Sequence, residues 1–225
     1  MFEEAPPEID RYIQPSDSAV FAECLVDVEV ERLELDKEPR SFLLRFKFDS
    51  NEWFEEQVLE KKFWYRRSKG NWQGLVSEPV KIHWKKGKDL TNGITDASFA
   101  LWQAFQASGN TSGHGFQKLK SSLEYEALAE VVENSDLSEC SFFTLFAYIS
   151  SHRYVDEKES AQAYHAEAER HEKRKRGERV EDPEEEMAGP DEEEIRIYSH
   201  GEELAQVIAD DVYTNAIKYF SRCSY

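Results

Sequence analysis

The functional chemistry that this sequence offers is electrostatic binding by charged side chains, because no catalytic set of residues is recognisable. The sequence has no Ser/His/Asp order, no glycine-rich phosphate loop and no pair of histidines at metal-ligand spacing. His152, His165 and His171 fall in or beside a highly charged segment, where a preorganised pocket is not expected. The pattern therefore predicts a binding protein that is not an enzyme, with no catalytic residue, metal site or cofactor.

The charge balance narrows the class of partner. Forty-six acidic residues face 28 basic ones, which gives a formal net charge of −18 and a pI of about 4.8. A protein of this charge repels nucleic acid phosphates and attracts basic partners. Acidity also keeps many proteins soluble, so charge alone does not choose the partner. We expect weak or no binding to nucleic acid.

Two groups of acidic residues are candidates for contacting a basic partner. The first is a polyanionic block between residues 181 and 194, a pattern typical of a solvated tail. It comprises Glu184, Glu185, Glu186, Asp191, Glu192, Glu193 and Glu194. The second is the wet side of the last predicted helix, which carries Glu202, Glu203 and Asp210.

Basic residues are concentrated in two places. The compact cluster Lys173, Arg174, Lys175 and Arg176 is typical of a nuclear import signal, and equally of one turn of a charged helix. The middle of the chain interleaves lysines and arginines with Trp64, Tyr65 and Trp84. Its cations are Lys61, Lys62, Arg66, Arg67, Lys81, Lys85, Lys86 and Lys88. This second group supports an alternative function, a module that binds nucleic acid or a scaffold through a basic sheet face.

Alternating apolar and charged residues predict an antiparallel sheet of about four strands. The strands are expected over 25–35, 41–48, around 63–65, and over 79–84. The first two should pair through a turn at 36–40, so that their opposite charges meet across the ladder. Residues 53–59 have the spacing of a short amphipathic helical turn.

Helical patterns occur on both sides of these strands. The first helix should begin near Pro15 with Ser16 or Asp17 as its cap. Further helices are predicted over 97–107, over 119–132 with Leu123 facing inward, and over 202–220. Residues 161–179 are either a solvated helix or disordered. Strands packed against helices give an α+β fold.

The expected organisation is an extended lead-in over 1–14 followed by one domain over 15–225. This domain carries a helical insert at 92–139, to which the sequence assigns no role, and a charged insert at 156–194. Three widely spaced cysteines indicate reduced thiols. No stretch approaches the roughly 20 apolar residues of a membrane span.

Four stretches resemble the signatures of the nucleosome assembly protein family of histone chaperones, in the family's order. They are FKFDSNEWFEEQVLEKKF (46–63), WKKGKDLT (84–91), CSFFTLF (140–146) and ELAQVIADDVYTNAIKYF (203–220). The Asp210–Asp211 step is similar to that of the SET-like branch. The resemblance implies an earmuff-shaped antiparallel sheet backed by helices. It also implies that the protein is nuclear, and leaves open that it shuttles between the nucleus and the cytoplasm.

The resemblance also implies partners and contacts. Family members bind core histones through acidic surfaces and assist nucleosome assembly without a cofactor, and one branch docks a histone acetyltransferase. The resemblance also implies a histone contact at Thr144, in addition to the acidic groups named above. Members form homodimers through a long helix, but only fourteen residues precede Pro15. Either the sequence as given lacks this element or the protein is monomeric, and the preferred histone pair stays open.

Overall fold

The computed structural model describes residues 12–70, 72–109, 119, 121–135, 140–147, 154–180 and 200–216. Four strands, β1 (Leu25–Arg32), β2 (Phe42–Phe48), β3 (Val58–Arg67) and β4 (Gln73–Val76), form one antiparallel sheet. Their order in the sheet is the order in the chain. Five α-helices accompany the sheet, so the α+β class predicted from the sequence is confirmed for the described residues.

The helices are α1 (Pro15–Cys24), α2 (Ile94–Ala107), α3 (Leu123–Glu133), α4 (Glu157–Lys175) and α5 (Gly201–Val207). A short 3-10 helix covers Phe142–Phe146, and a π-helical turn, Ile208–Val212, continues α5. We call the continuous stretch Gly201–Val212 the C-terminal helix. Of the predicted span 202–220, residues 217–220 lie outside the described residues.

One face of the sheet builds the core. Alternate residues of β2 point to this face, because side chains in a strand alternate between faces, and they are buried. They pack with the aromatic residues of the 3-10 helix and with the apolar side of the C-terminal helix. The cluster includes Phe42, Leu44, Phe46, Phe48, Phe142, Phe143, Phe146, Leu204 and Ile208.

The prediction of a fourth strand over 79–84 is wrong. A tight turn, closed by the bond from Ser68 N to Trp72 O (2.9 Å), returns the chain at once into β4. The later segment runs beside the loop after β2 instead, with one bridge between Phe54 and Trp84. The helical turn predicted at 53–59 is also wrong, because Asn51 Oδ1 accepts from the amides of Trp53 and Phe54, and β3 begins at Val58.

Three local predictions also need correction. Alternation over 25–35 predicts that Val26 is buried with Val28 and Val30, but Val26 is 60% exposed and lies at a register shift between Leu25 and Asp27. Leu123 is 80% exposed as the first residue of α3. Asp17 is not the helix cap but lies inside α1, where its buried carboxylate accepts from Gln14 N (2.9 Å) and from Phe142 N (2.7 Å).

Candidate functional site

The C-terminal helix crosses the sheet from one edge to the other. At its start, Glu202 Oε1 accepts a hydrogen bond from Leu75 N on β4 (3.2 Å). Near its end, Asp210 forms an ion pair with Arg32 on β1. Eight residues of helix rise about 12 Å, close to the roughly 14 Å that separates the outer strands of a four-stranded sheet. The helix therefore fixes the positions of the acids predicted as histone contacts.

These acids differ in how far they are exposed to a partner protein. Glu202 is half-buried, and its carboxylate accepts the hydrogen bond from β4. Glu203 is exposed and accepts from Tyr12 Oη (3.1 Å), with His200 Nδ1 at 3.5 Å. The Asp210 side chain is 62% exposed although it is paired with Arg32. Glu203 and Asp210 thus present charge to solvent, whereas Glu202 mainly holds the helix on the sheet.

The Thr144 prediction is not supported by the structure. This residue has no exposed surface, because the 3-10 helix that carries it lies inside the core. Its Oγ1 atom has no hydrogen-bond partner among the described residues. A partner protein could not reach Thr144 without moving this helix. The predicted acidic block, comprising Glu184, Glu185, Glu186, Asp191, Glu192, Glu193 and Glu194, lies outside the described residues.

The cluster Lys173, Arg174, Lys175 and Arg176 ends α4. Residues 161–179 were expected to be either a solvated helix or disordered, and the structure has a helix, with Asp156 as its cap. The first turns of α4 are anchored, since Ser160 Oγ accepts from Arg67 N (3.1 Å) and Ala163 is buried. Residues 171–179 are all exposed, so the cluster lies on a solvent-exposed helix end.

An acidic row on α3 was missed by the sequence reasoning. Glu126, Glu130 and Glu133 are exposed and lie at i, i+4 and i+7, so they share one face of the helix. None of them pairs with a cation in the described part of the chain. Like charges at this spacing cost about 0.2–0.5 kcal/mol per pair. The absence of any lysine or arginine from LEYEALAEVVE (123–133) was the signal that could have revealed the row.

The wet face of the sheet carries the predicted cross-ladder ion pairs, which are confirmed. Arg45 contacts Glu29 (2.8 Å) and Glu60 (2.5 Å), and Lys47 contacts Asp27 (3.2 Å) and Glu29. The hydrogen bonds from Lys47 and Arg45 hold the pKa of the Glu29 carboxyl below its usual value. These acids are largely satisfied inside the fold.

The basic residues in the middle of the chain do not form one cationic face. Lys61 is fully buried, and Arg66 is buried in an ion pair with Glu34 (2.7 Å). Other members of the set also have acidic partners, as in the pairs Lys81–Asp96 (2.6 Å) and Lys88–Glu52 (2.6 Å). The alternative function, which needed these cations together on a free sheet face, loses its structural basis.

Among the described residues, no group of three or more His, Cys, Asp or Glu side chains is placed to hold a metal ion. No helix within the described ranges is long and apolar enough to cross a membrane.

Known proteins provide an independent comparison. A Schizosaccharomyces pombe protein, whose name assigns it provisionally to the nucleosome assembly proteins, is 37% identical over 101 residues. That stretch covers 40% of this chain and 40% of the relative. The crystal structures of Ccp1 and of a Ccp1 mutant match at 20% and 19% identity, each with a TM-score of 0.48 over 98% of this chain and 71% of the other.

The family comparison covers far more of the sequence than the pairwise match. The model of the nucleosome assembly protein family matches residues 4–222. This span includes all four stretches whose resemblance was noted in the sequence, although it does not single out the SET-like branch. The chain belongs to the nucleosome assembly protein family.

Proposed function

We propose that the protein is a nuclear histone chaperone, which binds basic core histones through acidic surfaces and assists nucleosome assembly without catalysing a reaction. The observation that carries this proposal is the family match over residues 4–222. The formal charge of −18 is consistent with it, because histones are strongly basic and attraction at a distance speeds their capture.

Two described surfaces support histone contact on physical grounds. Glu203 and Asp210 present carboxylates beside the sheet, and Glu126, Glu130 and Glu133 form the row on α3. In the part of the chain that the structure describes, no cation pairs with this row, so a histone lysine or arginine would relieve repulsion there without first breaking a pair among those residues. The acidic block at 184–194 stays part of the proposal as a third contact.

Titration of the chain with each of the two core histone pairs, over a series of salt concentrations, tests this function. Binding should weaken steeply as salt rises, because salt screens exposed charges. The triple variant Glu126→Gln, Glu130→Gln, Glu133→Gln should lose about fivefold to 150-fold in affinity, if each exposed charge contributes about 0.3–1 kcal/mol.

A matched control removes the same charge elsewhere. Glu169, Glu172 and Glu178 lie on or just after α4, and their replacement by glutamine also removes three negative charges. This control should change affinity less than the variant on α3. Absence of histone binding at low salt would contradict the function itself, whereas equal losses in the two triple variants would contradict only the assignment of α3.

The cluster Lys173–Arg176 is proposed to act as the nuclear import signal, since it is exposed at the end of a helix. Fusion of the whole chain to a fluorescent protein tests this role in cells. Replacement of Lys173 and Arg174 by alanine should shift the fusion toward the cytoplasm. An unchanged nuclear fraction would remove the assignment.

A further inference from the structure

Strand β1 (Leu25–Arg32) is a terminal strand of the sheet. Its partner on one side is β2, and no strand lies on its other side among the described residues. The other terminal strand, β4, differs, because Glu202 of the C-terminal helix accepts from Leu75 N at that edge. An open strand edge is a template for pairing with another chain.

The ladder shows which groups of β1 point to the open edge. Leu33 N donates to Ser41 O (2.9 Å), in the same register that pairs Arg32 with Phe42 and Val30 with Leu44. Residues of an antiparallel strand point their amides alternately toward and away from the partner strand. The amides and carbonyls of Asp27, Glu29 and Glu31 therefore face β2, and those of Val28 and Val30 face outward.

The two faces of this edge have different chemistry. On the wet face, Asp27, Glu29 and Glu31 of β1 interact, within the described residues, with Arg45 and Lys47 of β2. Glu60 of β3 shares Arg45, so the strip of this face along β1 and β2 keeps an excess of negative charge. A second copy of β1 placed alongside would oppose acid to acid, which is unfavourable.

The other face of the edge opens into an apolar groove of about 220 Å³. The C-terminal helix extends past β1 here, and the groove lies between strand and helix. Val26, 60% exposed, and Tyr213, 44% exposed, leave it accessible. Its lining residues are Val26, Asp27, Val28, Ile208, Val212, Tyr213 and Ala216.

We propose that the open edge of β1 binds an extended peptide segment in which basic and apolar residues alternate, adding a fifth strand to the sheet. Its basic side chains would meet Asp27 and Glu31 on the wet face, and its apolar side chains would enter the groove. Strand β2 shows this chemistry on the inner edge of β1, since FLLRFKF (42–48) places Lys47 opposite Asp27 and Arg45 opposite Glu29. This surface is separate from the acidic row on α3.

A labelled synthetic peptide of about ten residues, in which lysine and valine alternate, tests the proposal by fluorescence anisotropy with the whole chain. A second peptide has the same composition with lysines and valines in two blocks. A third has the alternating sequence with N-methylated backbone amides, which cannot pair with a strand. The alternating peptide should bind at least about tenfold more tightly than either control peptide. Only this peptide can pair its backbone with β1 while its lysines contact the acids and its valines enter the groove.

Substitutions in the protein locate the site. Val26→Asp should reduce the affinity for the alternating peptide by about tenfold by placing a charge in the groove. Val58→Asp is the matched control, since Val58 is 45% exposed on β3 and does not line the groove. Equal binding of the N-methylated peptide, or equal effects of the two substitutions, would overturn the proposal. So would a dimer of the free protein, measured by sedimentation, that Val26→Asp dissociates.

Discussion

Replacing the buried Lys61 tests how the sheet is joined to the segments that pack on it. This lysine lies on the core face of β3, and its Nζ donates to the carbonyl oxygens of Glu78 (2.6 Å) and Phe146 (3.1 Å). Burial lowers the pKa of the Lys61 amine well below its usual value, and the nearby Glu78 carboxylate opposes this effect. One side chain thus connects β3, the loop after β4 and the 3-10 helix.

The size of the effect follows from what each substitution leaves behind. Lys61→Met keeps most of the buried stem and removes the amine. Phe146 O retains a second donor, Val80 N (2.8 Å), so Glu78 O loses more than Phe146 O does. An unsatisfied buried carbonyl costs about 1–3 kcal/mol. The net loss of stability is smaller than this, because Lys61→Met also removes the cost of burying the amine. Lys61→Ala should add a cavity and lose a further 2–4 kcal/mol or so.

The dependence on pH separates this account from a simple packing effect. Because the folded-state pKa of Lys61 is lowered, the unfolded chain binds more protons between that pKa and the ordinary lysine value of about 10.4. The stability of the wild type should therefore rise with pH across this window relative to Lys61→Met. The largest slope is about 1.4 kcal/mol per pH unit.

Urea unfolding followed by tryptophan fluorescence at pH 7, 8 and 9 measures this difference. Lys62→Met is the matched control, because Lys62 is the exposed neighbour on the same strand. The difference for Lys61→Met should rise more steeply with pH than the difference for this control. A Lys61→Met difference that changes no more than the control's would refute the reasoning, since it would mean that the folded protein holds Lys61 with an ordinary pKa.

Three further substitutions test other parts of the fold by urea unfolding. Asp17→Ala should cost about 2–4 kcal/mol, because it leaves the buried donors Phe142 N and Ser141 Oγ without their acceptor; a loss below about 0.5 kcal/mol would contradict this. Ile208→Ala should cost about 2–5 kcal/mol from the buried side of the C-terminal helix, which a neutral result would contradict. Glu202→Gln should cost less, about 1 kcal/mol, since glutamine can still accept from Leu75 N through its carbonyl oxygen; a loss as large as that of Ile208→Ala would be inconsistent with this.

The parts of the fold that were predictable from the sequence are those set by local alternation. Strands β1 and β2 each show one apolar and one charged face, and their opposite charges identified the pairing that the structure confirms through Arg45 and Lys47. The fourth strand was not predictable in this way. Both Gln73–Val76 and the segment 79–84 suit an extended chain, and contacts with distant residues, such as the bridge of Trp84 with Phe54, decide between them.

The same limit applies to single charged residues. A lysine in an alternating pattern is typical of a wet face, yet Lys61 is buried because carbonyls 17 and 85 residues away in the sequence converge on it. Glu202 was predicted beside Glu203 as a contact, but the approach of β4 engages one of its oxygens. Local sequence therefore identified the acidic helix without showing which carboxylates the fold itself uses.

The net charge of this chain is for that reason a poor measure of its capacity to bind a basic partner. Carboxylates such as Glu29, Glu34 and Glu38 already contact arginine in the fold, so a histone would have to displace an internal cation to use them fully. The row on α3 has no such internal cation among the residues that the structure describes. If capture depends on uncompensated charge rather than on total charge, neutralising Glu126, Glu130 and Glu133 should weaken histone binding more than removing three paired acids from the sheet. Equal effects would show that only the long-range field matters.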